Sequence, residues 1–158
     1  MKKTETYIYT DGSCVKNPGK GGYGFVIIYD NKIIMQGDYS RKTTNNLMEL
    51  QAIIAALKRC YKLGIYKDIK VFTDSKYCQN GIEYWIKGWL KNDFKNGKIK
   101  NQAYWRQIVS LQSTMQFKAI WIRNHSGNYY NEIVDNIAKD CANKQRKYKS
   151  KEIKIRVS

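Results

Sequence analysis

The chain has 158 residues, 42% of them hydrophobic, and a single proline, which fits one compact domain with one core and excludes a disordered chain. No apolar run approaches the roughly 20 residues needed to cross a bilayer, and the first residues lead into a strand-like stretch with no signal-peptide apolar region, so a cytoplasmic location is expected. The formal charge of +16, from 29 Lys and Arg against 13 Asp and Glu, points to a polyanionic partner, of which nucleic acid is the commonest inside cells; no basic amphipathic helix stands apart to serve a membrane.

In chain order, β-branched and aromatic residues at 7–10 predict a strand that stops at Asp11-Gly12. A Gly-rich stretch precedes a second strand at 25–29. Asp30-Asn31 suits a tight hairpin, with a third strand returning over 32–39. The period then changes: Leu47, Leu50, Ile54, Leu57 and Tyr61 recur at steps of three and four, which predicts an amphipathic helix over 45–62, with Thr43, Thr44 and Asn45 able to cap its start. A buried strand follows at 69–73, then short helices at 75–81 and around 84–89. Residues 87–101 form a basic stretch expected to protrude as a loop with at most one helical turn. A helix over 104–115, a last strand at 117–122 and a final helix over 131–147 complete the pattern. Strands first, then alternating helix and strand, predict an α/β fold: a five-stranded mixed sheet, antiparallel meander first, flanked by helices. Residues 1–147 form the domain, and 148–158 a basic tail expected to fray.

The four cysteines, Cys14, Cys60, Cys78 and Cys141, show neither zinc-ligand nor redox-motif spacing and read as free thiols of a reducing compartment. Residues 19–24 fit the G-x-G-x-x-G pattern of dinucleotide sites. That motif must open a helix, and strand formers follow it here, so the reading is rejected.

Four acids occupy similar places. Asp11 and Asp74 end strands; Glu49 and Asp135 lie in the first turns of helices. Each alone has an ordinary explanation as a turn, cap or helix-start residue. Together they can converge at one edge of a sheet, where like charges raise one another's pKa values and hard divalent cations with oxygen ligands relieve the conflict.

A known pattern joins them. Tyr9-Thr10-Asp11-Gly12-Ser13, Asn17-Pro18-Gly19, Gly21-Gly22-Tyr23-Gly24, Thr44-Asn45-Asn46-Leu47-Met48-Glu49-Leu50, Phe72-Thr73-Asp74-Ser75, His125-Ser126-Gly127 and Asn131-Glu132-Ile133-Val134-Asp135-Asn136-Ile137-Ala138 closely resemble the type 1 ribonuclease H family, in family order from about residue 7 to 142. No dimer interface is obvious in the sequence, so a monomer is expected, and the resemblance implies the ribonuclease H-like fold and an endonuclease that hydrolyses the RNA strand of RNA–DNA hybrids. It further implies two Mg²⁺ ions, with Mn²⁺ able to substitute, and products with 5′-phosphate and 3′-hydroxyl ends. It makes Asp11, Glu49, Asp74 and Asp135 the metal-binding carboxylates, His125 the mobile-loop histidine that assists proton transfer or product departure, and Glu132 an accessory acid near the second metal. Thr44 and Asn45 match a phosphate pocket on the DNA strand, and Cys14, Asn17 and Asn46 match minor-groove contacts. Lys87, Trp89 and Lys91 match a basic protrusion, with Trp85 expected to pack in the core. Lys76 stands where Gln is common, which alters one RNA contact. Asn124 replaces an expected Gly, and Tyr129-Tyr130 replace a more Pro- or Gly-like pair, which bears on the mobility of that loop. Two rivals keep the fold: a hybrid-binding module without catalysis, and a nuclease acting on DNA. Retention of all four carboxylates weighs against the first, and the minor-groove positions with the basic protrusion against the second.

Overall fold

The computed structural model of the chain describes residues 5–123 and 127–155. Three strands open it, β1 (Thr6–Cys14), β2 (Gly19–Tyr29) and β3 (Lys32–Thr43), followed by the helix α1 (Asn45–Lys62) and the strand β4 (Ile69–Thr73). Next come α2 (Lys76–Asn80), a π-helical turn (Gly81–Trp85), α3 (Ile86–Lys91), α4 (Asp93–Gly97) and α5 (Gln102–Thr114). The chain ends in β5 (Phe117–Trp121), α6 (Tyr129–Lys144) and β6 (Tyr148–Lys154). The strands form one mixed sheet in the order β5-β4-β1-β2-β3-β6. β1, β2, β3 and β6 pair antiparallel, whereas β4 runs parallel to both β1 and β5.

The meander is longer than its sequence pattern predicts. Asp30 and Asn31 both take positive φ, 45° and 58°, the conformation a two-residue hairpin between right-twisted strands requires. The Gly-rich stretch, expected to precede the second strand, lies within β2. A Cβ on Gly22 would collide with the Ala142 amide of α6 and lie 2.7 Å from the Ala138 carbonyl oxygen. The glycines thus let α6 lie directly on the sheet.

α1 covers the opposite face. Its apolar stripe buries Leu50, Ile53, Ile54 and Leu57 in a core shared with Ile8, Phe25, Ile27 and Val71, each large side chain contributing about 1.5–3 kcal/mol on leaving water. The Thr44 hydroxyl caps this helix by accepting from the Leu47 amide at 3.2 Å. Among the described residues no helix is long and apolar enough to cross a membrane. All four cysteines are free thiols, as their spacing predicts.

Several expectations are corrected. The sheet has six strands, because residues 148–154 do not fray but pair with the outer edge of β3. Only Tyr148 of β6 is even half-buried, so no apolar alternation announces the strand, and its lysines are the charges an exposed edge carries. The stretch 87–101 is not mainly a loop: α3 and α4 occupy most of it, pinned by buried Ile86 and Phe94. α4 is unusual, since Asp93 to Asn96 all have φ between 50° and 56°. This left-handed turn is costly for Phe94 and Lys95. It is held by burial of Phe94, by the Arg106 guanidinium 4.3 Å above that ring, and by an Arg106–Asp93 ion pair of 2.9 Å. Trp85 is 40% exposed rather than a core residue. α6 starts two residues earlier than expected, where the Asn128 side chain accepts from the Tyr130 and Asn131 amides, and it ends at Lys144 because Gln145 is left-handed.

Candidate active site

The sheet register brings two of the acids together. β1 and β4 run parallel with Tyr9 opposite Phe72, so Asp11 and Asp74, each two residues further on, emerge side by side. Gly12 then sets the distance to α1. A Cβ there would lie 2.5 Å from the Glu49 amide nitrogen and 2.7 Å from the Met48 carbonyl carbon, so only glycine lets the helix that carries Glu49 come this close to the strand that carries Asp11. Carboxylate oxygens of Asp11, Glu49 and Asp74 lie within 4.8 Å of one another. Asp135 reaches the same cleft from α6, and its Oδ2 is 2.9 Å from the Lys139 ammonium one turn further along.

The electrostatics follow from this convergence. Asp11 and Glu49 are 4% and 8% exposed. Burial, reinforced by the charges of Asp74 and Asp135, pushes the Asp11 carboxyl up to about 7, against a lowering by its hydrogen bond with Glu49. Burial and the Asp11 charge hold Glu49 well above the ordinary glutamate range. Oε2 of Glu49 is buried without a hydrogen-bond partner, an arrangement that costs free energy when nothing occupies it. An oxygen-only donor set, crowded acids and an orphaned carboxylate oxygen together fit a hard divalent cation.

A model of the RNase H family matches residues 3–143. The chain belongs to the type 1 ribonuclease H family. It is 40% identical over 154 residues to a ribonuclease H of Treponema denticola, spanning 87% of this chain and 96% of that one. It is 41% identical over 140 residues to a ribonuclease H of Neorickettsia sennetsu, spanning 85% and 91%. Among solved structures it resembles LC9-RNase H1, a type 1 RNase H with the type 2 active-site motif, with TM-score 0.81 and 27% identity over 93% of this chain and 76% of that one. LC11-RNase H1, solved in complex with an RNA/DNA hybrid, shares the fold at TM-score 0.69 and 20% identity over 89% of this chain and 99% of that one. By its family this chain is an enzyme, a phosphodiester hydrolase of the ribonuclease H class.

The remaining sequence-predicted residues are dispersed around this centre. Cys14, Asn45, Asn46 and Lys76 line the cleft that holds the four acids. Asn17 is exposed, and its side-chain oxygen accepts from the Asn45 amide at 3.1 Å, tying the β1–β2 turn to the start of α1. Thr44 caps α1. Lys87 and Lys91 are exposed on α3, and Trp89 is half-buried against Trp105 and Phe94. Glu132 is exposed in the first turn of α6. His125 and Asn124 lie outside the described residues.

Two residues escape sequence reasoning. Lys139 carries a usable signal, since it stands four residues after Asp135 on one helix face. Trp121 carries none, because its role depends on packing across the sheet edge: its indole N–H donates to the Asp74 carbonyl at 3.1 Å, and the Lys76 ammonium sits 4.7 Å above its ring.

Proposed function

We propose that this chain is an endonuclease that hydrolyses the RNA strand of RNA–DNA hybrids by two-metal-ion catalysis, leaving 5′-phosphate and 3′-hydroxyl ends. The observation that carries the reading is the meeting of Asp11, Glu49 and Asp74 within 4.8 Å, with one Glu49 oxygen left unpaired, in a chain of this family. Asp11, Glu49, Asp74 and Asp135 would hold Mg²⁺, with Mn²⁺ able to replace it. Two such ions, when bound, supply an activated water and charge stabilisation at the leaving oxygen.

The chain's own residues do the rest. The placement of Asp11 on β1 and of Asp74 just past the end of the neighbouring β4 fixes where a phosphodiester must sit. Asn45 and Asn46 at the mouth of the cleft are positioned to contact the hybrid, where a 2′-hydroxyl distinguishes RNA from DNA. Thr44 and Asn45 offer a DNA-strand phosphate the start of a helix whose first turn carries no acid, which favours an anion there. Lys87 and Lys91 on α3 add sequence-independent attraction to the backbone. His125 assists proton transfer or product departure, and Glu132 serves as an accessory acid near the departing strand. The enzyme acts as a monomer inside the cell, residues 1–147 carrying catalysis and 148–158 adding basic charge.

The test is cleavage of four end-labelled substrates, RNA–DNA hybrid, single-stranded RNA, duplex RNA and duplex DNA, each with Mg²⁺, with Mn²⁺ and with chelator. Cutting confined to the RNA strand of the hybrid, and lost with chelator, is expected. Binding without cutting under either metal would make the chain a silent hybrid-binding module, and cutting of duplex DNA would move it to another branch of the fold.

A further inference from the structure

Phe72, Tyr9 and Tyr130 form one continuous stack of rings below the acid cleft. The Phe72 and Tyr9 centroids lie 4.9 Å apart at an interplanar angle of 20°, and those of Tyr9 and Tyr130 lie 5.3 Å apart at 31°. Both spacings fall in the range that favours aromatic pairs, about 4.5–7 Å. Each ring precedes an acid: Phe72 stands two residues before Asp74, Tyr9 two before Asp11, and Tyr130 five before Asp135. The stack therefore joins β4, β1 and α6, the elements that place Asp74, Asp11 and Asp135.

The contact matters most for Asp135. Register between two hydrogen-bonded strands sets Asp11 beside Asp74, whereas Asp135 rides on α6, which lies across the sheet. The close backbone approaches of α6 come at Val134 and beyond. A Cβ on Gly24 would lie 2.7 Å from Ile137 Cγ2 and 3.2 Å from the Val134 carbonyl oxygen, and one on Gly22 would meet Ala138 and Ala142. Among the described residues no glycine makes such an approach to the first turn of the helix. There the Asn128 side chain caps the Tyr130 and Asn131 amides, and the Tyr130 ring rests on Tyr9. Without that seat the start of α6 can tilt away from β1 about Gly24, carrying Asp135 with it. The Tyr129-Tyr130 pair, which stands where the resemblance expects Pro- or Gly-like residues, thereby gains a use.

We infer that Tyr130 is a positioning residue for Asp135, acting through its ring contact with Tyr9 to hold that carboxylate at its working distance from Asp11 and Asp74. The inference rests on the proposed metal-binding role of Asp135. The ring carries this role, and the phenol hydroxyl does not.

The experiment measures Mg²⁺ binding to the free protein by calorimetry, hybrid cleavage at saturating Mg²⁺, and thermal unfolding. Tyr130→Leu keeps an apolar side chain over Tyr9 but removes the flat ring. Its Mg²⁺ dissociation constant should rise about three- to tenfold. Its kcat should fall about ten- to a hundredfold, the scale of an ångström of misplacement, with KM for the hybrid unchanged. Tyr130→Phe should match wild type in both. Tyr130 is only half-buried, so the variant is expected to fold, and Tyr9→Leu reads the same contact from the other side. The double variant should lose no more than either single one, because both remove one contact. Cys141→Ala, fully buried at the far end of the same helix, is the control: it should lower the melting temperature and leave Mg²⁺ affinity unchanged.

A Tyr130→Leu protein that binds Mg²⁺ and turns over like wild type would overturn the positioning role alone. So would additive losses in the double variant, a Tyr130→Phe protein as impaired as Tyr130→Leu, or an equal loss of Mg²⁺ affinity in Cys141→Ala. A wild type that neither binds Mg²⁺ nor cuts a hybrid would overturn the metal-site reading and the positioning role with it.

Discussion

The acid cleft and the basic α2–α5 region solve opposite problems with opposite means. The cleft gathers repelling carboxylates, and it sits where the fold is most constrained: two parallel neighbouring strands, and two long helices pressed onto the sheet through Gly12 and Gly22. The α2–α5 region presents cations that need only approach a backbone. It strings short helical pieces, a π turn and a left-handed turn onto the longer α5, and a cluster of rings holds it to the core. Catalytic geometry needs sub-ångström placement, whereas phosphate attraction tolerates movement. The two regions should therefore fail differently.

Asp11→Asn gives the largest expected effect. It removes one charge from the centre of the cluster and leaves the α2–α5 region intact. Hybrid cleavage should fall by about a thousand-fold or more, as when a group acting directly on the developing charge is lost, while hybrid affinity by anisotropy in chelator is kept. Residual turnover near the wild-type rate would remove Asp11 from the chemistry.

Trp105→Ala attacks the other region. Trp105 is fully buried, its indole N–H donates to the Tyr77 hydroxyl at 2.9 Å, and its ring centroid lies 5.3 Å from that of Trp89. Truncation should cost about 3–5 kcal/mol in chemical denaturation. It should loosen α3 and weaken hybrid binding, with Mg²⁺ binding to the native fraction unchanged. A variant that loses metal binding while still folded would show that the two regions are coupled and do not fail separately.

The pH dependence of the metal-free protein separates the cleft from the α2–α5 region further. An unfolded Asp11 gives up its proton near 3.8, whereas the folded one keeps it to about 7. Between those values the folded state binds more protons, so stability contributed by this group is present at low pH and lost as pH rises through about 7. In chelator the melting temperature should fall by several degrees across that window, Mg²⁺ should restore it, and Asp11→Asn should flatten the slope. A wild type whose stability rises over the same window would contradict the burial-driven shift.

Legibility in the sequence divides along the same line. α1 is readable because Leu47, Leu50, Ile54 and Leu57 repeat at the helical period, and β4 because a short β-branched run lies between breakers. The carboxylates are readable only jointly, through a resemblance; that Asp11 and Asp74 stand side by side depends on a strand register no local pattern encodes. β6 is invisible because Lys149, Lys151 and Lys154 face water and no apolar alternation is present. The left-handed turn at Asp93 to Asn96 is hidden for a different reason. Phe94 and Lys95 are poor residues for positive φ, and only tertiary contacts, ring burial and the Arg106 pair, select that conformation.

The smallest expected effect concerns the one point where, among the described residues, a cation pairs with an acid of the cleft. Lys139 pairs with Asp135 at 2.9 Å, and Asp135, then Asp11, hold its ammonium above the ordinary lysine range. The lysine is half-exposed, so the pair itself adds little to stability. Its charge nevertheless lies beside oxygens proposed to hold a divalent cation, and a nearby positive charge opposes cation binding. Lys139→Met should therefore tighten Mg²⁺ binding about three- to tenfold by calorimetry, since each tenfold change corresponds to about 1.4 kcal/mol. The gain should shrink as salt is raised, because a half-exposed charge is screened. Unchanged or weaker Mg²⁺ binding would instead make Lys139 a residue that orients Asp135 for its ligand role, and Lys139→Arg, which keeps the charge, would then behave as wild type.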